Sequence, residues 1–341
     1  MPMTLEDIAR ISGYSRSTVS RVINGDDNVS EKARQKISEV IHRFEFQPNL
    51  AARGLASGRA KVLGLVIPMG VNSIFADPFF PLLIQGVSSG CNANDYSVML
   101  WLAEPEYERR TITKILYNGL VDGVIVSSML TDDPIAEALL RSKLPFLLIG
   151  RHPSHPEIDY VDVDNYSGAR QAVLHLLRIG YQRIATIAGP QNMVVGTDRY
   201  WGYVETLQER GLDVQPELIT EGDFTDAGGY EAMQRLLRAR PDAVFAASDA
   251  MANGALRALH DAGLRVPEDV AVVGFDDVPF ACRTSPALTT VRQPITRVGY
   301  MAAETLIHSI GRTEAEPNHV VLPTELVIRE SCGANLKRMR R

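Results

Sequence analysis

The stretch TLEDIARISGYSRSTVSRVINGDDNVSEKARQKI, residues 4–37, decides the fold of the N-terminal part of the chain. Thr4, with Asp7 three residues later, predicts a capped amphipathic helix that ends at Gly13. A second helix is predicted to begin at Ser15. The stretch therefore starts with two short helices that a tight glycine turn joins.

Apolar spacing defines the second and third helices. Val19, Val22 and Ile23 form one stripe on the second, and a strong turn follows at 24–27. Ser30 caps the third helix, whose predicted apolar positions are Ala33, Ile37, Val40, Ile41 and Phe44. Two short helices with a third packed behind them are typical of a helix-turn-helix. A generic three-helix bundle with a solvated polar face is the alternative that the pattern leaves open.

The polar face of the second helix holds candidate DNA contacts. In a helix-turn-helix this helix enters the major groove and presents its first residues to base edges. Arg16 and Ser17 stand there, and arginine is the commonest bidentate reader of guanine. The predicted DNA-binding residues of this part are Thr4, Ser15, Arg16, Ser17, Thr18, Ser20, Arg21 and Asn24.

The rest of the chain alternates short apolar runs with helical stretches such as 166–179 and 225–238. Apolar runs that are separated by helices predict parallel sheets buried on both faces. Two series of runs suggest two doubly wound subdomains. The predicted strands are 62–68, 96–103, 123–128, 145–151, 160–164, 183–189, 217–222, 243–248 and 270–277.

Polar and aromatic residues collect where these predicted strands end. Ligands bind beyond the carboxyl ends of strands in such folds. Carboxylates accept hydrogen bonds from sugar hydroxyls, arginine forks onto paired oxygens, and aromatic faces stack on sugar rings. Each aspartate taken alone has an alternative role as a helix cap. The predicted effector-binding residues are Phe75, Phe79, Asp164, Arg199, Phe224, Asp249 and Asp276.

Composition and charge exclude several classes of protein. The 341 residues carry a net charge of −6, but the first sixty hold nine basic against seven acidic residues. Three scattered cysteines, no signal-peptide pattern and no apolar run of about 20 residues favour a cytoplasmic protein without a membrane span. No phosphate-loop, dinucleotide-binding or G-x-S-x-G pattern occurs, and the prolines beside His152 and His155 favour an exposed loop over a metal site. We therefore expect no cofactor, no metal and no catalytic residues.

The helical stretch resembles the DNA-binding headpiece of the LacI/GalR family of bacterial transcription regulators, through its T-x-x-D-I-A…G-x-S…T-V-S-R-x-x-N pattern. The remainder resembles the family's effector domain, which is itself similar to periplasmic sugar-binding proteins. The implied fold is an all-α helix-turn-helix headpiece followed by an α/β periplasmic-binding-protein-like domain of two doubly wound parallel-sheet subdomains. The implied divisions are a headpiece at 1–47, a hinge at 48–60, an effector and dimerisation domain at 61–331 (N-subdomain 61–160 plus 292–320, C-subdomain 161–291 plus 321–331) and a basic tail at 332–341.

The resemblance also assigns roles to single residues. The hinge PNLAARGL, residues 48–55, implies DNA contacts from Asn49, Ala52, Arg53 and Leu55, with Leu55 as an apolar wedge in the minor groove. Arg199, in the sequence DRYWGY, matches the family's effector-anchoring arginine. Asp276, in VGFDD, matches its hydroxyl acceptor. Further pocket-lining positions of the family match Phe79, Asp164, Phe224 and Asp249.

The implied function is a homodimeric repressor that binds a palindromic double-stranded operator and responds to a small-molecule effector, most simply a sugar. A periplasmic-type solute-binding module and an α/β sugar-processing enzyme are the alternatives. The sequence leaves open whether the effector releases or recruits the protein, and whether a phosphocarrier protein acts as corepressor. Because the C-terminal GANLKRMRR lacks leucine heptads, a dimer is favoured over a tetramer.

Overall fold

The computed structural model describes residues 3–23, 25–46, 59–68, 70–102, 119–127, 130–131, 134–312 and 316–334. It divides into two compact units, Met1–Lys61 and Val62–Arg341. We describe each unit by itself, and the second contains both sheets.

The described residues of the first unit form a bundle of three helices. Thr4 caps the first through a reciprocal capping box with Asp7, and Gly13 ends it in a left-handed conformation with φ of 75°. Its core centres on Ile8, Val19 and Ile37, which are fully buried. The helices are α1 Leu5–Ser12, α2 Arg16–Ile23 and α3 Glu31–Arg43.

Phe44 departs from the predicted core of α3. The helix ends at Arg43, and Glu45 turns the chain with a φ of 47°. Phe44 is consequently 39% exposed, whereas Phe46 is buried in its place. The prediction for Phe44 is wrong because the periodicity of a helix does not extend past its cap.

The second unit contains two six-stranded sheets, in the orders β11-β5-β4-β3-β1-β2 and β12-β10-β9-β8-β6-β7. All neighbouring strands are parallel except β12, which runs antiparallel to β10. The predicted pair of parallel sheets is confirmed. The strands are β1 Val62–Ile67, β2 Ser97–Leu102, β3 Gly123–Ser127, β4 Phe146–Ile149, β5 Tyr160–Val163, β6 Ile184–Ala188, β7 Ile219–Glu221, β8 Ala243–Ala246, β9 Ala271–Asp276, β10 Thr289–Arg292, β11 His319–Leu322 and β12 Glu325–Val327.

Helices cover these sheets. They are α4 Val71–Ala76, α5 Phe79–Ala93, α6 Pro134–Arg141, α7 Asn165–Arg178, α8 Val194–Glu209, α9 Asp226–Leu236, α10 Asp249–Asp261 and α11 Ile295–Ser309, with 3-10 turns at Pro216–Leu218, Leu237–Ala239 and Ala281–Arg283. Each of the nine predicted strands contains an observed one. The three strands β10, β11 and β12 were not predicted, because none of their sequences, TTVR, HVVL and ELV, contains a long apolar run.

The chain passes between the sheets three times. It crosses between β5 and α7, between β10 and α11, and between β11 and β12. These points lie near residues 164, 293 and 323, each two or three residues later than the expected 161, 291 and 321. We call the part with the first sheet and α11 the N-subdomain, and the part with the second sheet the C-subdomain.

Helix α11 returns to the N-subdomain and packs closely on α5. A Cβ atom at Gly86 would lie 2.1 Å from the carbonyl oxygen of Thr296, and one at Gly299 would lie 2.5 Å from that of Leu83. Glycine at both positions therefore lets the two helix backbones touch. This packing fixes the start of α11, from which Ile295 and Val298 face the space between the subdomains.

Candidate effector cleft and DNA-binding surface

The second unit holds a cleft between its two subdomains, which we call the effector cleft. It encloses about 740 Å³ of space that opens to solvent. Its lining residues are Phe79, Ser127, Leu148, Ile149, Gly150, Arg151, Asp162, Val163, Asn165, Met193, Val194, Val195, Arg199, Gln293, Ile295 and Val298.

Arg199 lies in the first turns of α8, and its side chain is only 4% exposed. Its Nε donates to Oδ1 of Asn165 at 2.9 Å, and its Nη1 donates to the carbonyl oxygen of Ala247 at 2.5 Å. The same Nη1 lies 3.4 Å from Oδ1 of Asp276. The guanidinium carbon stands 3.7 Å from the ring centroid of Phe275. Arg199 is therefore held rigidly beneath the cleft.

One donor of this arginine stays available. Among the residues that the structure describes, Nη2 of Arg199 has no hydrogen-bond partner. Because Arg199 lines the cleft, a bound molecule can accept a hydrogen bond from this nitrogen. The position agrees with the anchoring role that the resemblance implies, and that role remains a proposal.

Asp276 ends β9 next to Arg199 with a φ of 117°, a region that L-residues rarely adopt. Nε2 of Gln293 donates to its Oδ1 at 2.5 Å. Burial raises the pKa of Asp276 to about 7, and the positive charge of Arg199 opposes that rise. Near neutral pH the Asp276 carboxyl is therefore present in both its protonated and its charged form.

Asp249 lies deeper than the cleft wall. The hydroxyl of Thr290 donates to its Oδ1 at 2.5 Å, and the backbone N–H of Val278 donates to its Oδ2 at 3.0 Å. Burial and the neighbouring Asp276 hold the pKa of Asp249 well above its ordinary value. Both carboxylate oxygens are engaged within the C-subdomain, so the structure does not bring Asp249 to the cleft surface.

The remaining predicted effector residues divide between the cleft and its surroundings. Phe79 lines the cleft, whereas Phe75 is 64% exposed outside the lining set. Asp164 caps α7 by accepting from the backbone N–H of Ser167 at 2.9 Å, which is the alternative role weighed from sequence. The Phe224 ring centroid lies 5.9 Å from the guanidinium carbon of Arg199, behind the lining.

Five polar cleft residues were not in the predicted effector-binding set: Ser127, Arg151, Asp162, Asn165 and Gln293. Asn165 directly follows the predicted strand 160–164, and Arg151 ends the predicted strand 145–151. The strand-end rule could have found both. Asp162 stands inside a strand, and Gln293 lies at a crossing that only the three-dimensional fold reveals.

Arg151 connects the two subdomains. Its Nη1 lies 3.2 Å from Oδ2 of Asp162 in the N-subdomain and 2.6 Å from Oδ2 of Asp198 in α8. Its Nη2 donates to Oδ1 of Asp198 at 2.7 Å. A backbone bond of 2.9 Å from the N–H of Thr131 to the carbonyl of Asn192 also spans the cleft. Two contacts thus tie the subdomains together across the cleft.

The headpiece presents the predicted DNA-reading face on α2. The side chain of Arg16 is 70% exposed and pairs with Glu6 at 3.2 Å. Ser15 accepts from the backbone N–H of Thr18 at 3.2 Å, which caps the helix. Thr4, Ser15, Ser17 and Arg21 are exposed as well, and Thr18 and Ser20 are half-buried. Asn24, Asn49, Ala52, Arg53 and Leu55 lie outside the described residues.

The described part of the chain offers neither a cluster of metal ligands nor a membrane span. The described residues contain no group of three or more histidine, cysteine, aspartate or glutamate side chains placed to hold a metal ion. Within those residues, no helix has the length and apolar character that crossing a bilayer requires.

Comparisons with known protein families give a match in each of the two units. Residues 4–49 match the model of bacterial regulatory proteins of the lacI family, and residues 173–332 match a periplasmic binding protein-like domain. The HTH-type transcriptional regulator CelR of Thermobifida fusca is 41% identical over 332 residues, which cover 96% of this chain and 98% of CelR.

Two solved structures extend the similarity to the fold. A CelR–cellobiose complex matches with a TM-score of 0.78 at 39% identity, covering 96% of this chain and 99% of that one. A lac repressor dimer bound to operator and the anti-inducer ONPF matches with a TM-score of 0.86 at 28% identity, covering 97% and 99%. This chain therefore belongs to the LacI family of bacterial transcriptional regulators.

Proposed function

We propose that this regulator is a repressor that binds a palindromic operator as a homodimer and changes its operator affinity when a sugar occupies the effector cleft. The observation that carries the proposal is the polar floor of the cleft. There Arg199 offers one free donor beside Asp276, Asn165 and Gln293, whose oxygens can accept from hydroxyl groups. A polyhydroxylated ligand matches such a mixture of donors and acceptors.

The DNA-binding half of the proposal is supported by the exposed residues of α2. Arg16 and Ser17 occupy the start of the second helix of the helix-turn-helix, where base edges are contacted. The lac repressor that this chain resembles is a dimer on its operator, and two-fold protein symmetry requires two related half-sites. Asn49, Ala52, Arg53 and Leu55 are proposed as hinge contacts, and a cytoplasmic location follows from a DNA target.

The sugar half of the proposal is supported by the CelR–cellobiose complex and by the geometry of the cleft. Phe79 offers an aromatic face to a sugar ring, and Arg199 provides a donor at the cleft surface. Asp276 is buried directly beside Arg199 and is proposed as an acceptor. The proposal includes no enzymatic step, since its relatives are regulators. Asp249 and Asp164 act as supports of the site, because their oxygens bond within the protein.

The experiment starts by selecting bound duplexes from random DNA with the full-length protein. Fluorescence anisotropy then measures operator affinity while cellobiose and a panel of other sugars are added. A sugar that weakens operator binding defines an inducer, and one that strengthens it defines a corepressor. A panel that leaves operator affinity unchanged contradicts the sugar effector, and failure to select any palindrome contradicts the operator proposal.

Arg199→Ala separates the two halves of the function. We expect operator binding to persist and the response to sugar to disappear, because the variant loses the anchoring donor. Arg141→Ala is the matched control, since Arg141 pairs on the exposed surface with Glu137 at 3.4 Å. A full response from Arg199→Ala would remove Arg199 from the site.

A further inference from the structure

Both guanidiniums of the effector cleft are already paired with carboxylates. Among the described residues that line it, Arg151 and Arg199 are the positively charged ones. Asp162, Asp198 and Asp276 each lie within 4 Å of one of these guanidiniums. Asp77 adds a fourth carboxylate, close enough to raise the pKa of Asp276.

Both terminal nitrogens of Arg151 already contact carboxylates. Nη1 faces both Asp162 and Asp198, and Nη2 is held by Asp198. The side chains of Asp162 and Asp198 are only 8% and 15% exposed. A phosphate that approached Arg151 would have to displace one of these carboxylates or stand beside both, and like charges in close contact oppose binding.

Arg199 is committed in part, since its Nε and Nη1 are engaged and Nη2 is free among the described residues. Its Nη1 is shared by the carbonyl of Ala247 and by Asp276, so the two-pronged grip that arginine uses on phosphate is not available. The carboxylates of Asp276, Asp162, Asp249 and Asp198 all act on its charge. Its free Nη2 can donate to one neutral oxygen.

We propose that the effector cleft binds an uncharged, polyhydroxylated ligand and excludes the phosphorylated form of the same ligand, with Asp162 and Asp198 as the residues that set this selectivity. The inference rests on the proposed sugar effector and narrows its chemical class. Hydroxyl groups satisfy both kinds of partner here, because they donate to carboxylates and accept from Nη2. A phosphate is only an acceptor and brings charge of the wrong sign. The selectivity thus works by repulsion as well as by attraction.

The test uses the full-length protein and matched pairs of probes. Glucose and glucose 6-phosphate, ribose and ribose 5-phosphate, and cellobiose and cellobiose 6-phosphate are screened by thermal shift and then titrated by calorimetry. We expect a neutral member to bind and its phosphorylated partner to bind at least about tenfold more weakly. Equal or tighter binding of a phosphorylated member overturns this inference and leaves the sugar effector standing. Binding of no member contradicts the sugar effector itself.

Variants of Asp198 and Asp162 test whether these carboxylates cause the exclusion of phosphate. Asp198→Asn removes one negative charge and loosens Arg151, so we expect it to bind inorganic phosphate roughly tenfold more tightly than the wild type. Asp162→Asn should likewise bind inorganic phosphate more tightly than the wild type. Asp269→Asn is the matched control, since Asp269 pairs with Arg265 at 3.0 Å on the exposed surface. If both cleft variants keep the phosphate affinity of the wild type while remaining folded by circular dichroism, the assigned residues are wrong.

Discussion

The guanidinium of Arg151 and the carboxylate of Asp198 face each other across the effector cleft, joined by contacts of 2.6 and 2.7 Å. Arg151 follows β4 in the N-subdomain, and Asp198 lies in α8 of the C-subdomain, directly before Arg199. One ion pair thereby links the relative position of the subdomains to the residue proposed to hold the effector.

Arg151→Gln should open the cleft. The variant leaves Asp162 and Asp198 as neighbouring carboxylates without their cation, and uncompensated buried charge is destabilising. Because Arg151 itself is 40% exposed, we expect a loss of only about 1–2 kcal/mol in the free energy of unfolding. Small-angle X-ray scattering should show a larger radius of gyration without ligand, and denaturant unfolding should show the loss of stability.

Arg141→Gln is the control for that experiment, since its pair with Glu137 lies within one exposed helix. It should change stability by less than about 0.5 kcal/mol and leave the scattering profile unaltered. An unchanged profile in Arg151→Gln would show that the ion pair does not hold the cleft closed.

Asp276 should make the protein less stable as pH rises towards neutral. Its pKa is about 7 in the folded protein and 3.8 in its ordinary state, so the folded form binds the additional proton between these values. Stability therefore falls as pH increases through this window, by up to about 1 kcal/mol for each pH unit. Thermal unfolding of wild type and Asp276→Asn between pH 4.5 and 7.5 checks it. The melting temperature of the wild type minus that of Asp276→Asn should fall as pH rises, and a constant value of this difference would contradict the assignment.

Gly86→Ala should destabilise the N-subdomain. The added methyl group would lie 2.1 Å from the carbonyl oxygen of Thr296, so α5 and α11 must move apart. Overpacking of this kind costs about 1–3 kcal/mol, more than alanine gains in a helix. Ser89→Ala, on the exposed face of the same helix, is the matched control. Equal unfolding midpoints for the two variants in urea would show that the helices can separate without cost.

Arg16→Ala should weaken operator binding by about 1–3 kcal/mol and relax selectivity at one base position. The reason is the place of Arg16 at the start of α2, with its side chain 70% exposed. Arg10→Ala is the comparison, because Arg10 lies on α1 and pairs with Asp7 at 2.7 Å. Anisotropy on single-base operator variants measures both proteins. A uniform loss over all sequences would mean that Arg16 contacts phosphate.

The sequence predicted most of the fold because the responsible patterns are local. The capping box at Thr4 and the apolar run that becomes β1 depend on neighbours within a few residues. Strands β10 and β12 escaped prediction because their stability comes from pairing across the sheet, which a three- or four-residue pattern does not display.

The site was predictable only in part, because several of its contacts join residues that are far apart in the sequence. Arg199 and Phe79 line the cleft, as a strand-end argument expects. Asp164 carries the same signal, yet its carboxylate caps α7. A single sequence does not reveal whether a strand-end carboxylate faces a ligand or its own helix. The partnership of Arg151 with Asp198 spans 47 positions and depends on the subdomain arrangement.

The three crossings between the sheets bear on how the chain can fold as it is synthesised. The N-subdomain needs α11 and β11, and the C-subdomain needs β10 and β12. Neither sheet has all its strands until residues beyond 318 have left the ribosome, although most of the first sheet is translated before residue 164. By contrast, the three helices of the headpiece all lie within the first 46 residues of the chain. Domains generally fold as units during synthesis, so the DNA-binding end can form early while both halves of the cleft wait for the last tenth of the chain.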